Sequence, residues 1–252
     1  MSGSAEPAGL AAPEGGSARL PANRDFLLLL GGQTISSFGD IIFDITLTLW
    51  IAVDLASGRA WAPMAVSGVL LAASLPVLVV GPIAGVFVDR WDRRRTMLVT
   101  DGLRAALVAL LLLGARDGLP VAGRLAAIYA VVFLVSVCSQ FFSPARVAVI
   151  VEVVDEPQRA QASSVSQLMS SLAVVIGPAL AAPLFFRVGA AWALALNALS
   201  FVVSLAAILA LRHRPAQGAS GQAAVASFSG EFAAGLRFFA GSAVLRTMLI
   251  AA

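Results

Sequence analysis

The sequence contains no lysine, one cysteine, one histidine and one tyrosine among 252 residues, and only 12% of its residues are charged. Each scarcity removes a class of chemistry. A lone cysteine, Cys138, permits no intramolecular disulfide and no zinc site built on cysteines. Within an apolar run, it reads as a small packing residue. The lone histidine, His213, lies in a basic segment, and no HExxH, GxSxG or phosphate-loop motif occurs. The chain therefore shows no metalloprotease helix, no nucleophile elbow and no nucleotide-driven motor. No catalytic residue, metal ligand or cofactor is predicted. With no lysine, the net charge of +3 rests on arginine alone. Those arginines sit in short segments beside apolar runs, the pattern of membrane-flanking loops rather than of a nucleic-acid surface.

Apolar residues are abundant: 59% of the chain is hydrophobic and the mean hydropathy is +0.91. Several runs exceed the roughly 20 residues that cross a ~30 Å hydrocarbon core. They do not alternate, which excludes a membrane β-barrel. Helices satisfy their backbone hydrogen bonds internally, as lipid requires. The predicted class is an all-α, multi-span membrane helical bundle.

Six spans are predicted: about Phe26–Ala52, one within Ala60–Val88, about Thr96–Gly114, about Leu125–Ala145, one within Gln161–Phe186, and about Val188–Leu211. Residues 1–24 are rich in Gly, Ala, Pro and Ser and read as a disordered cytoplasmic tail, with no h-region of a signal peptide. Residues 212–243 read as a cytoplasmic loop, and 244–252 as the start of a seventh helix.

The arginines orient these spans. With the N-terminus in the cytoplasm, that side holds Arg19, Arg24, Arg90, Arg93, Arg94, Arg95, Arg146, Arg159, Arg212, Arg214 and Arg237, and the other holds Arg59, Arg116, Arg124 and Arg187. The bias follows the positive-inside rule, and deleting the third span would scramble it. A multi-pass protein of the cell membrane with a cytoplasmic N-terminus is expected.

Polar residues inside the spans are the candidate functional groups. Gln33, Ser37, Asp40 and Asp44 are spaced four, three and four apart and share one helical face. Asp40 lies fourteen residues beyond Phe26, ~21 Å along a helix, past the bilayer midplane. A carboxylate at that depth faces water, finds a partner or takes up a proton. It is a candidate for proton coupling or for contact with a cationic substrate, and equally a candidate packing or gating group. Ser136, Ser139, Gln140 and Ser143 form a second stripe, and Ser163, Gln167 and Ser170 a weaker one. Small polar residues of this kind line a cavity or join helices; Asn197, Ser200 and Ser204 read as packing groups. Asp101 and Arg104 are three apart and able to pair on one face.

The loop Gly85-x-x-x-Asp89-Arg90-x-x-Arg93-Arg94 resembles the signature between helices two and three of the major facilitator superfamily, with Asp92 where glycine is usual. Its Asp-Arg-Arg-Arg form is similar to the branch of enterobactin exporters and macrolide-efflux transporters. Asp101-x-x-Arg104, Phe142-Ser143-Pro144-Ala145-Arg146, Gly177-Pro178-Ala179-Leu180, Asn197-Ala198-Leu199-Ser200-Phe201 and Gly235-Leu236-Arg237-Phe238 resemble further segments of that branch, in order, over about residues 24–252.

The resemblance implies an N-terminal six-helix domain with a 3+3 inverted repeat, ending inside helix seven. It implies a membrane transporter, expected to be a proton-coupled efflux antiporter of small amphipathic molecules such as drugs or siderophores. The alternative is a non-transporting fragment or half-transporter that needs a second six-helix half or a homodimer. Its expected partners are a small-molecule substrate, protons and the lipid bilayer. By resemblance, helices one and four line the cavity, which puts Asp40, Gln33, Ser37, Asp44, Gln140 and Ser136 at the substrate. Gly85, Asp89, Arg90, Arg93 and Arg94 correspond to a cytoplasmic conformational lock, with Asp101 and Arg104 as neighbours. Gly177 and Pro178 resemble the exporters' antiporter signature, where small residues allow close helix packing.

Overall fold

A computed structural model describes residues 23–114 and 120–212, all helix and short connection. Residues 1–22 of the expected tail over 1–24, residues 213–243 of the expected loop over 212–243, the segment 244–252, His213 and Arg116 lie outside the described residues, while Arg24 already belongs to the first helix. Helix α1 spans Arg24–Leu49, and a π-helical turn, Trp50–Leu55, continues it. Asn23 caps it, its side-chain oxygen accepting the Phe26 amide at 3.0 Å. Then come α2 (Ala62–Val79), α3 (Gly81–Arg90), α4 (Arg93–Gly114), α5 (Val121–Val153), a 3₁₀ turn (Glu156–Gln158) and α6 (Arg159–Leu209).

The second predicted span, within Ala60–Val88, holds α2, and α3 follows it across a kink. Pro82 opens α3 and Pro76 sits inside α2. Proline lacks the N–H that would carry the ladder across the junction, so the helix breaks at Val80. The fifth and sixth predicted spans are two helices, together labelled α6, that meet at a kink at Gly189, whose φ of 81° and ψ of 172° are non-helical. Pro178 and Pro183 lie within the helix, and the turn falls at the glycine, because that backbone region is open almost only to glycine. Helices α2, α4, α5 and α6 are each long and apolar enough to cross a membrane.

The bundle closes through α1. On α1, Gly32 and Gly39 face the part of α6 beyond Gly189. A Cβ at Gly32 would meet Ala207 Cβ at 2.8 Å, and one at Gly39 would collide with Ser200 and Asn197. Removing both Cβ atoms lets the backbones approach, the usual way membrane helices gain dispersion contacts without a hydrophobic driving force. A Cβ at Gly177, on the earlier part of α6, would likewise collide with Ile41. Two buried apolar clusters fill the interior, one around Phe43, Ile51, Leu194 and Phe201, the other around Phe26, Met97, Val149 and Ile208. Large apolar side chains on the outer faces, among them Leu70, Leu71, Leu110, Leu113 and Val175, are exposed, as a lipid-facing surface requires.

Candidate functional site

The polar residues of α1 divide by angle around the helix. Gln33 is buried and its amide donates to Ser204 Oγ at 3.0 Å. Ser204 Oγ in turn donates to Asp101 Oδ2 at 2.5 Å. Asp101 Oδ1 lies 3.0 Å from Arg104 Nη2, and Arg104 Nη1 lies 3.7 Å from Asp40 Oδ2. The chain Gln33–Ser204–Asp101–Arg104–Asp40 therefore joins α1, α4 and α6. Phe142 and Phe201 sandwich the guanidinium, with ring centroids 4.4 and 4.7 Å from its carbon, a cation–π arrangement that compensates part of its lost hydration.

Exposure grades along this chain. The Asp101 side chain is 0% exposed and that of Arg104 3%, whereas Asp40 is 37% exposed. Asp40 is the point at which the buried charges reach an open space. That space is a cleft of about 220 Å³ between α1, α2 and α5, lined by Asp40, Asp44, Ser136 and Ser139 with Phe43, Ala73, Val132 and Val135. Ser136 Oγ donates to the Ala73 carbonyl at 2.7 Å and so ties α5 to α2 along the cleft wall. The α1 and α5 stripes thus supply two residues each to one cleft. Ser37 is half-buried and outside the lining. Gln140 is also outside it, beside Gly81 at the α2–α3 break, its amide donating to the Ser136 carbonyl at 3.3 Å.

The basic loop is organised separately. Arg93 pairs with Glu152 on α5. Arg94 donates to the carbonyls of Ile208 at 3.2 Å and Leu209 at 2.8 Å, at the C-terminal end of α6, where free carbonyls and the helix dipole favour a cation. Asp92 caps α4, accepting the Arg95 amide at 2.8 Å. Asp89 and Arg90 are exposed at the end of α3, and a Cβ at Gly85 would meet only open space. Asp101 and Arg104, expected beside this loop, direct their ion pairs and ring contacts to Asp40, Phe142 and Phe201 instead.

Sequence reasoning missed two features. The link from Arg104 to Asp40 spans 64 residues, and the packing of α6 against both α1 and α4 creates it. Arg146 on α5 was read only as an orienting charge. It is half-buried, its Nε has no hydrogen-bond partner among the described residues, and it lines a small recess with Gln33, Thr34, Ser166 and Ser170. An arginine inside an apolar run was the available signal.

Comparison with known proteins accords with this architecture. The family described as transmembrane secretion effector matches residues 21–252. The MFS-type transporter YfiS of Bacillus subtilis is 29% identical over 157 residues, 62% of this chain and 35% of that protein. Macrolide efflux protein A of Streptococcus pyogenes is 30% identical over 186 residues, 73% of this chain and 42% of that protein. Macrolide efflux protein A of Enterococcus faecalis is 34% identical over 137 residues, 54% and 39% of the two chains. The chain thus matches less than half the length of these relatives.

Proposed function

This chain belongs to the major facilitator superfamily, in the family of transmembrane secretion effectors, and from that premise we propose that it works in proton-coupled export of small amphipathic molecules across the cell membrane. It is a multi-pass membrane protein. Relatives are named for macrolide efflux, and a cleft with two carboxylates beside apolar side chains favours a cationic, amphipathic group of the substrate.

The observation that carries the coupling is the position of Asp40, between the open cleft and the buried Arg104. Such a carboxylate has two balanced states. Ionised, it pairs with Arg104 and holds α1 to α4. Protonated, it is neutral toward the cleft and leaves Arg104 to Asp101. A proton, or a cationic substrate in its place, then biases the packing of α1 against α4, which is the differential interaction a conformational change needs. Asp44, on the same cleft, adds a second acidic group toward the incoming substrate.

We assign the lock role to Gly85, Asp89, Arg90, Arg93 and Arg94. The Arg93–Glu152 pair and the Arg94 bonds to the end of α6 support a clasp at one end of the bundle, which we place in the cytoplasm with the N-terminus. Gly177 serves close packing against Ile41, with Pro178 beside it in α6.

Dye or macrolide efflux from energised vesicles, with and without a protonophore, tests this. Asp40→Asn should abolish the dependence of efflux on the proton gradient; pH-dependent transport unchanged in that variant would refute the coupling role. A second reading has the six helices act with a second half or with another copy of themselves. The open space over Gly85 favours it. Efflux by residues 1–252 alone only as a dimer, or only after co-expression with a second six-helix half, would distinguish the two arrangements.

A further inference from the structure

Arg146 is a half-buried arginine with no acid of its own. It sits about two turns before the end of α5, and no ion pair or side-chain hydrogen bond engages it among the described residues. Its Nε is shut off from solvent. A guanidinium carries donors and no acceptor, so a buried N–H without a partner is costly. A cation among membrane helices calls for a counter-charge or a polar cavity.

The acids on the surrounding helices are engaged elsewhere. Asp101 and Asp40 meet Arg104, and Glu152 meets Arg93. Asp25 lies 3.7 Å from Arg24, Asp44 faces the other cleft, and α6 contains no acid at all. The charged group that acts on Arg146 is Arg104, a second cation.

Arg146 lines a recess between α1, α5 and the first part of α6. The recess has a volume of about 10 Å³, room for the centre of one water-sized group. Leu29, Ile150 and Met169 give it apolar sides, which strengthen any electrostatic contact made there. Among its polar residues, Thr34 and Ser170 donate back to the carbonyls of Leu30 and Ser166, and Gln33 donates to Ser204. The Ser166 hydroxyl makes no hydrogen bond among the described residues and is left as a donor beside the guanidinium. A cation, an uncommitted hydroxyl, apolar walls and no carboxylate complement one atom-sized anion.

We propose that this recess binds one small monovalent anion, a chloride ion or one oxygen of a carboxylate, between Arg146 and Ser166. It shares no residue with the cleft at Asp40, and its occupancy does not depend on a coupling role for that aspartate.

Chloride NMR tests the site on the full chain in a nonionic detergent. Chloride that exchanges onto a slowly tumbling protein broadens the resonance of the free ion in proportion to the fraction bound. Exposed ion contacts contribute little and charge-assisted hydrogen bonds are the strong ones, so Arg146→Gln should remove more than about half of the broadening. Arg187→Gln, at an exposed arginine, should remove little. Ser166→Leu keeps the arginine but fills the recess; it should match Arg146→Gln, and it serves alone if Arg146→Gln does not fold. Sodium acetate at constant ionic strength separates the two sources. Narrowing of the Arg146-dependent part means that a carboxylate enters, and no narrowing means that the site is a halide site. Equal broadening by wild type and both variants would overturn the proposal, as would the absence of broadening by wild type. Loss in Arg146→Gln with full retention in Ser166→Leu would also overturn it, since the anion would then lie outside the recess.

Discussion

At the scale of single residues, the Asp101–Arg104 pair dominates, because both groups are almost fully removed from solvent. Such a pair stabilises little in itself, but leaving one member alone is costly. Arg104→Gln strands Asp101 with only Ser204 as a partner and should cost about 3–5 kcal/mol. Asp101→Asn strands Arg104 less, since Asp40 and the two phenylalanine rings remain. The double variant Asp101→Asn with Arg104→Gln should recover at least half of the Arg104→Gln loss. Thermal unfolding of the detergent-solubilised protein, followed by size-exclusion fluorescence, reads all three. Strict additivity of the two single effects would show that the groups do not act as a pair.

The sequence made part of this cluster legible. Asp101 and Arg104 at i and i+3 announce a pair on one helix face, and Asp40 announces itself by its depth in an apolar run. Their union does not show in the sequence, because no local pattern fixes how α1 and α4 rotate toward each other. Gln33 illustrates the same limit. Its spacing places it on one stripe with Asp40 and Asp44, yet it bonds inward to Ser204 while Asp44 faces the cleft. A stripe about 60° wide straddles the boundary between core and cavity, and periodicity alone does not resolve such an angle.

At the scale of helices, the glycines of α1 test the packing account by contrast between neighbours. Gly31 has nothing within 4 Å of an added Cβ, whereas Gly32 would bring a Cβ to 2.8 Å from Ala207. Gly31→Ala should therefore be neutral or stabilise by up to about 1 kcal/mol, the helix propensity difference. Gly32→Ala should lose more than that gain, and Gly39→Leu, against Ser200 and Asn197, should cost about 1–3 kcal/mol through overpacking. The same melting assay decides, and equal effects at Gly31 and Gly32 would remove the close-approach argument. Gly189 is a separate case, since its φ of 81° with ψ of 172° is strained for any L side chain. Gly189→Val should destabilise by about 1–3 kcal/mol even though nothing crowds the position. The change of span near Arg187 foretold the turn at Gly189.

At the scale of the whole molecule, the arginines gather the helix ends. Asn23 donates to the Val153 carbonyl at 2.8 Å, Arg24 to the Ala210 carbonyl at 3.4 Å, Arg93 pairs with Glu152, Arg94 reaches Leu209, and Arg159 donates to the Val151 carbonyl at 3.0 Å. The start of α1, the start of α4, the end of α5 and the end of α6 therefore lie at one end of the bundle. The arginines there satisfy carbonyls that helix C-termini leave open, so the charges that orient the chain also finish its helices. Since arginines cross a membrane at high cost, the positive-inside rule leads us to propose that this end faces the cytoplasm. Labelling checks the assignment. In a Cys138→Ser background, Glu156→Cys sits at the arginine-rich end and Ser57→Cys in the connection after α1, both exposed. A membrane-impermeant maleimide added to intact cells should modify Ser57→Cys and spare Glu156→Cys until the cells are opened. The reverse pattern would invert the orientation and move the Arg93–Glu152 clasp to the outer face. The cleft at Asp40 would keep its lining in that case, because the orientation changes no contact within the bundle.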